Sequence, residues 1–243
     1  MAKLVLIGTG HVFRIEETIA DAIAAIEPNR VMVELDPPRL QALYARQAGA
    51  TQTPAGGFVH RKLQEFQEQV AEDYGATPGG EMLAAVNAAY LAGAQVDLID
   101  RDVNVTMKRA LEQLTLREKM RAGGSFVKNT VAGWFGKGTN VESELASYTE
   151  NPEAALDDLA KTFPTVRRVV IDERDQYMAD EINKQVGEDE TAVVVIGDGH
   201  VGGMSKLLTN HDLTIYRLPA VRAGELPKPA GTRLRFGFQF HSP

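Results

Sequence analysis

Two short stretches near opposite ends of the chain, Ile7-Gly-Thr-Gly-His-Val12 and Ile196-Gly-Asp-Gly-His-Val201, differ only at their third residue. Each follows an apolar run and precedes a helical pattern. If those runs are neighbouring strands, His11 and His200 leave them in matching backbone settings and face one crevice, where open α/β sheets bind ligands. The glycines Gly8, Gly10, Gly197 and Gly199 would let the chain turn sharply and bring backbone N–H groups close to a ligand. Two more apolar runs end in acids, at Glu34 and Asp100. Strand ends that offer His, Glu, Asp and His suit zinc, manganese, cobalt or iron better than calcium or magnesium. A divalent ion in such a place lowers the pKa of its bound water and polarises a carbonyl, the core of metal-assisted hydrolysis. Taken singly, each of these residues could equally be capping a strand or a helix.

Other candidates divide on context. Gly57-Phe-Val-His60 also reads Gly-x-x-His, but it follows no strand and is a chance recurrence of a short motif. His211 and His241 have no motif around them and read as surface residues. Asp100-Arg101-Asp102 with Thr106, Lys108 and Arg109 forms one charged cluster, and Glu173-Arg174-Asp175 forms another inside a helical stretch. On that helix Glu173 and Tyr177 share one face, while Arg174, Met178 and Ile182 share the next. The arginines could hold site carboxylates in place or grip a substrate carboxylate bidentately. Ordinary solvated i,i+4 pairing explains either cluster as well.

The elements that must position these residues alternate. Leu4–Ile7 is a continuous apolar run, the pattern of a strand buried on both faces. Ile15, Ile19, Ala22, Ile23 and Ile26 come next at helical spacing and stop at Pro28. Arg30–Leu35 reads as a second strand, and Asp36 as the N-cap of a helix carrying Pro37 and Pro38 in its first turn. Helical patterns cover Arg61–Tyr74, a stretch opened by Glu81 after Pro78-Gly79-Gly80, and Val105–Arg121. Val96–Ile99 and Ala192–Ile196 read as further strands, and Leu213–Tyr216 as a last one. The expected fold is a mixed, largely parallel sheet covered by helices, with a helical insertion in the middle. It forms one α/β domain over residues 1–218, with residues 219–243 a tail or edge strand. Gly123–Gly138 surrounds Phe126, Trp134 and Phe135 with glycines and reads as a lid, a partner contact or a surface loop.

Composition narrows the function classes. With 243 residues, 44% hydrophobic and 24% charged, the chain can bury a substantial core. A net charge of −7 argues against a nucleic-acid partner and suits recruitment of divalent cations. The absence of cysteine removes disulfides, zinc thiolates and cysteine nucleophiles. The N-terminal apolar run is too short for a signal peptide, and no stretch approaches the ~20 apolar residues that span a bilayer. These features predict a soluble, cytoplasmic protein.

Six ordered blocks between residue 4 and about residue 208 carry a family resemblance. They are Ile7-Gly-Thr-Gly-His11, Val33-Glu-Leu-Asp36, Pro78-Gly-Gly-Glu-Met82, Leu98-Ile-Asp-Arg-Asp102, Asp172-Glu-Arg-Asp175 with Tyr177-Met-Ala179, and Gly197-Asp-Gly-His200. Together they resemble the TraB/PrgY family, which shares a superfamily with the Tiki and GumN proteins. The resemblance implies a Tiki/TraB-like fold. It also implies a metal site with His11 and His200 as ligands, and with Glu34 as a ligand or the general base. Glu173, Arg174 and Asp175 would complete or support that site, with Glu81, Asp100 and Arg101 in supporting places. Tiki relatives are metal-dependent proteases supported by manganese or cobalt. PrgY is linked to the shutdown of a peptide pheromone, which fits peptide binding or cleavage. Many archaeal members continue into a C-terminal membrane segment that this sequence does not contain.

The expectation is therefore a metal-dependent hydrolase, a peptidase acting on small peptides or another small molecule, with manganese, cobalt or zinc as its ion. No His-Glu-x-x-His is present to supply a standard zinc-protease argument. A non-catalytic module that sequesters a peptide, or a cofactor such as haem, shares the same crevice. Gly197-Asp-Gly-His-Val-Gly202 also has dinucleotide-binding spacing, but the next strand ends at Tyr216-Arg217 with no acid for a ribose. No Gly-x-Ser-x-Gly elbow supports a serine hydrolase. The aromatic glycine loop and the alternating tail each offer a contact for a homodimer.

Overall fold

Side chains alternate across the first strand: Leu4 and Leu6 enter one core, Val5 and Ile7 the other. The computed structural model describes residues 1–10, 13–49, 79–121 and 152–229. His11, His60, the Arg61–Tyr74 pattern, the Gly123–Gly138 loop and the alternating tail with His241 lie outside the described residues. The strands are β1 (Lys3–Thr9), β2 (Arg30–Val33), β3 (Gln95–Leu98), β4 (Thr191–Gly197) and β5 (Asp212–Tyr216). They form one sheet in the order β3-β2-β4-β1-β5. Every pairing in it is parallel, because each return passes through a helical crossover.

Helices cover both faces. On one side lie α1 (Glu16–Ile26), α3 (Gly80–Ala92) and α9 (Leu218–Arg222). Their Ile19, Ile23, Val86, Ala89 and Val221 pack on Ile7, Val31, Val33, Val193 and Val195. On the other side α7 (Glu173–Gln185) and α8 (Asp198–Leu207) set Met178, Ile182, Val201 and Met204 against Leu4, Leu6, Met32, Val194 and Ile196. Each such fully buried aliphatic side chain contributes about 1.5–3 kcal/mol relative to exposure. Burial on both faces is why the strands read as continuous apolar runs. Val221 and Leu226, in the segment expected to be a tail, are buried in the α1-side core.

The topology creates a crevice. β1 and β4 are neighbours, with Thr9 opposite Gly197. The helix after β1 packs on one face, and the helix after β4 packs on the other. Strand neighbours whose succeeding helices diverge leave a gap at their carboxyl ends, the topological switch point of α/β sheets.

Two local features differ from the sequence expectation. The helix expected over Val105–Arg121 is two pieces: α4 (Val103–Gln113), then a helical segment over 116–121. Thr115 and Glu118 restart it as a capping box, with Glu118 N–H donating to Thr115 Oγ1 at 3.2 Å and Thr115 N–H to Glu118 Oε2 at 2.9 Å. After α5 (Pro152–Thr162), the stretch before α7 is a short α6 (Pro164–Arg167) and then a π-helical turn, Arg168–Asp172. Arginine side chains serve carbonyls of that turn: Arg101 Nη2 donates to Val169 O (3.3 Å) and Arg174 Nη1 to Val170 O (3.2 Å). By contrast, α2 (Pro37–Gln47) begins at Asp36 as expected, and the Asp36 carboxylate accepts from Arg39 N–H at 2.8 Å. The same carboxylate also accepts from Val103 N–H at 3.1 Å, tying the starts of α2 and α4 together. No helix among the described residues is long and apolar enough to cross a membrane.

Candidate functional site

Glu34 is the first residue beyond β2, and its N–H continues the ladder to Val195 O at 3.0 Å. That bond fixes its side chain at the carboxyl end of the sheet, beside β4. Glu34 Oε2 accepts from Gly197 N–H at 2.7 Å, at the start of α8, where the helix dipole favours a carboxylate. Oε1 is bonded by Arg174 Nη2 and lies 3.4 Å from His200 Nε2. The Glu34 and His200 side chains are both buried.

His200 is held by its other nitrogen. Nδ1 lies 2.6 Å from Asp175 Oδ1, so the ring donates there and turns the Nε2 lone pair toward Glu34 and Arg174. Burial pushes the Asp175 carboxyl up, while His200 pulls it the other way. A carboxylate behind the distal nitrogen is the arrangement that orients metal-binding imidazoles and raises their basicity.

Arg174 is the hub. Its Nε and Nη2 form a fork with Asp100 Oδ1 (3.0 Å) and Oδ2 (2.7 Å), while Nη2 also serves Glu34 and Nη1 sits 3.1 Å from His200 Nε2. Burial opposes its charge, but Glu34 and Asp100 outweigh that and hold it firmly protonated. Asp100 is further clamped by Arg39 Nη1 at 2.6 Å and by Arg101 N–H at 2.8 Å. Arg39 Nη2 also reaches Glu34 O at 3.1 Å. Three buried carboxylates, Glu34, Asp100 and Asp175, thus lie around Arg174, with the partly exposed Arg39 serving Asp100 from outside.

The donors can be tested against a metal. Ligands at ~2.0–2.2 Å from one ion, at tetrahedral to octahedral angles, stand about 2.9–3.6 Å apart. His200 Nε2 and Glu34 Oε1, at 3.4 Å, fit that separation. Arg174 occupies the same lone pairs, so guanidinium and metal ion would compete for them. No group of three His, Asp or Glu side chains placed to hold a metal occurs among the described residues. His11 lies outside them, next to Gly10 at the end of β1.

The sequence candidates divide accordingly. Glu34, Asp100, Arg174, Asp175 and His200 come together. Glu81 is buried in the first turn of α3, the end of that helix nearest the strands' carboxyl ends. Glu173 is turned outward, toward Arg101, Arg109 and Arg168. Gly8, Gly10 and Gly197 act by permitting close approach, and no left-handed φ occurs at these three or at Gly199. A Cβ on Gly8 would land on Asp198 Oδ1, one on Gly10 would lie 2.9 Å from Leu218 Cδ2, and one on Gly197 would lie 3.3 Å from Glu34 Oε2. Backbone settings after the two echoed motifs also differ. α8 starts at Asp198 and carries His200 in its first turn, whereas α1 starts only at Glu16.

Sequence reasoning missed Arg39, although its place in the first turn of the helix after Glu34 was a usable signal. It also missed Asp198, which accepts from Arg217 Nε (3.0 Å), Arg217 Nη2 (2.9 Å) and Leu218 N–H (2.7 Å) and so ties α8 to α9. The dinucleotide spacing at Gly197 meets an electrostatic obstacle. A phosphate at the start of α8 would face Glu34, whose carboxylate already takes the Gly197 N–H.

Residues 2–217 match the model of the TraB/PrgY/gumN family. An uncharacterized protein of Methanocaldococcus jannaschii is 29% identical over 232 residues, a match covering 89% of this chain and 57% of that protein. TraB domain-containing proteins of Bos taurus and Homo sapiens are each 23% identical over 256 residues, covering 90% of this chain and 66% of theirs. The chain thus spans less than two thirds of the length of these relatives.

Proposed function

The chain belongs to the TraB/PrgY/gumN family, and from that premise we propose that its carboxyl-end crevice is the site of a metal-dependent hydrolase acting on small peptides. The observation that carries the reading is the pair His200 Nε2 and Glu34 Oε1, 3.4 Å apart, with the imidazole oriented from behind by Asp175. These two atoms would be ligands of a manganese, cobalt or zinc ion, and His11, two residues after β1 in the sequence, would add a third. When bound, the ion supplies Lewis acidity, activating a water and polarising the scissile carbonyl. Gly197 N–H holds Glu34 Oε2, which supports Oε1 as the ligating atom. Asp175 keeps the Nδ1 proton and leaves Nε2 free to ligate. Arg174, anchored by its fork to Asp100, remains charged beside the reacting centre and can stabilise negative charge developing there.

The test is divalent-ion uptake by the purified protein, measured by calorimetry for manganese, cobalt and zinc, together with peptide-library cleavage. His200→Ala and Glu34→Gln should each lower ion affinity at least about tenfold and abolish any cleavage. Uptake by His200→Ala equal to that of the parent would overturn the assignment.

One observation favours a second reading, a module that sequesters a peptide without cutting it. Arg174 already bonds Glu34 and Asp100 and abuts His200, a self-satisfied network that needs no activated water. Stoichiometric recovery of bound, uncut peptide from the ion-loaded protein would select this reading.

A further inference from the structure

Beside the crevice, on its outer side, three guanidiniums converge on a single carboxylate. Arg101 Nη1 lies 3.4 Å and Arg109 Nε 3.0 Å from Glu173 Oε2, while Arg168 Nη1 lies 2.8 Å from Oε1. Three guanidiniums share this carboxylate, with Glu112 adding a longer-range negative charge at Arg109, so the patch stays positive in a chain whose net charge is −7. Closely placed guanidiniums repel, and one Glu needs only one of them. The Glu173 carboxyl, which burial alone would push up, is instead held below its ordinary range by Arg109 and Arg101.

The cluster is graded from the interior outward. Arg101, 15% exposed, is fixed by Thr106 Oγ1 at 3.1 Å and by Val169 O. Arg109 and Arg168 stand at the rim, 45% and 50% exposed. Arg168 gives its Nη2 to Gln113 Oε1 at 2.7 Å. Arg109 is held through Nε by Glu173 and is 45% exposed, with the Glu112 carboxylate a second negative charge acting on it. A guanidinium held by Nε can grip an oxyanion bidentately through its two terminal nitrogens. Arg101 comes directly after Asp100 and Glu173 directly before Arg174, so the cluster adjoins the Asp100–Arg174 fork along both elements.

We propose that Arg109 and Arg168, seated by Glu173 and Arg101, bind a carboxylate of a short peptide, its free C-terminus or an acidic side chain, at the edge of the Glu34–His200 crevice. The proposal rests on the reading of that crevice as a peptide site, and it names what the site selects. A positive rim on an acidic protein also steers such ligands to this edge and away from the rest of the surface.

The test needs neither turnover nor metal. Backbone NMR titrations of the protein as purified, at low ionic strength, would use three peptides. These are N-acetyl-trialanine as the free acid, the same peptide as its C-terminal amide, and the amide with a central glutamate. At least one acid-bearing peptide should bind the parent about fivefold or more tightly than the neutral amide, and which one does so identifies the source of the carboxylate. Arg109→Ala/Arg168→Ala should erase that preference, Arg109→Glu should reverse it, and Lys184→Ala, which removes an exposed charge from α7 away from the cluster, should keep it. Equal binding of all three peptides, no binding of any to the parent, or an unchanged preference in the double variant would overturn the proposal. Ion uptake and carboxylate preference in the metal-free protein are read in separate experiments, so failure of the crevice reading and failure here are separate results.

Discussion

Replacing Arg174 with methionine removes a cation that bridges the Glu34 and Asp100 carboxylates, both nearly inaccessible to solvent. The side chain makes a two-bond fork to Asp100, a bond to Glu34 and one to Val170 O. Breaking a buried ion pair by deleting one partner costs about 3–5 kcal/mol, because the other charge is left uncompensated. Here each carboxylate keeps some support: Asp100 retains Arg39 and Arg101 N–H, and Glu34 retains Gly197 N–H. The low end, about 3 kcal/mol, is the expected loss, and in a domain of this size it lowers Tm by about 6–12 °C. Arg174→Lys keeps the charge and loses the fork, so it should fall between parent and Arg174→Met. A cycle with Asp100→Asn should reveal a coupling of about 1–3 kcal/mol, since the two residues act as a unit. If guanidinium and metal compete for the same lone pairs, a divalent ion should raise the Tm of Arg174→Met more than that of the parent. Thermal melts monitored by circular dichroism decide all of this. A Tm within about 2 °C of the parent, or strict additivity with Asp100→Asn, would refute the reasoning.

Three other outcomes are expected from the same geometry. Asp175→Asn should weaken manganese binding about 10–100-fold in a spin-resonance titration by loosening the His200 ring, and unchanged affinity would deny Asp175 its orienting role. Gly203→Ala places a methyl on Asp175 Oδ2, so it should destabilise by about 1–3 kcal/mol in urea melts, and Asp175→Ala in the same chain should relieve part of that loss. Glu118, pushed up by burial but pulled down further by hydrogen bonds from Thr115 and Thr165, has its carboxyl lowered from 4.5 to about 2. A depressed folded-state pKa contributes stability above pH 4.5 that is lost as pH falls toward 2. Parent and Glu118→Gln should therefore differ in denaturation midpoint at neutral pH and converge near pH 2, and parallel curves would exclude this linkage.

How far the sequence reached depends on which kind of information each feature needs. Strands buried on both faces announce themselves as apolar runs, so Leu4–Ile7, Val31–Val33 and Val193–Ile196 were legible, and with them the strand ends carrying Glu34 and His200. The charged trio Glu173-Arg174-Asp175 was legible in phase as well. Glu173 shares a helical face with Tyr177, which is 39% exposed, and Arg174 aligns with the buried Met178 and Ile182. The spacing put the two on different faces but did not say which met the crevice, and Glu173, expected to complete the site, is the one turned outward. The π turn at Arg168–Asp172 was not legible, because a shift in hydrogen-bond register leaves the pattern of residue types almost unchanged. Yet this turn sets the phase of α7 relative to α6 and supplies the carbonyls that seat Arg101 and Arg174.

The echoed Gly-x-x-His motifs show why a repeated string is weaker than it looks. The two strings fix a position relative to a strand end, and β1 and β4 do lie side by side. They do not fix the path of the chain beyond that end. Gly8 and Gly197 are offset by one in the register, Gly8 facing Ile196 and Thr9 facing Gly197. After β4, Gly197 N–H is bound by Glu34 and the helix starts at once, which puts His200 on the first turn with Asp175 behind it. After β1, Phe13 N–H returns to Gly10 O at 3.2 Å, and Gly10 is wedged against Leu218 and the Phe13 ring, over which Arg222 stacks at 4.1 Å. Each setting depends on partners far away in sequence, Glu34 and Asp175 in one case and Leu218 and Arg222 in the other. The chemistry of His200 is therefore decided by residues outside the motif, which is where substitutions that alter it without touching the imidazole should be sought.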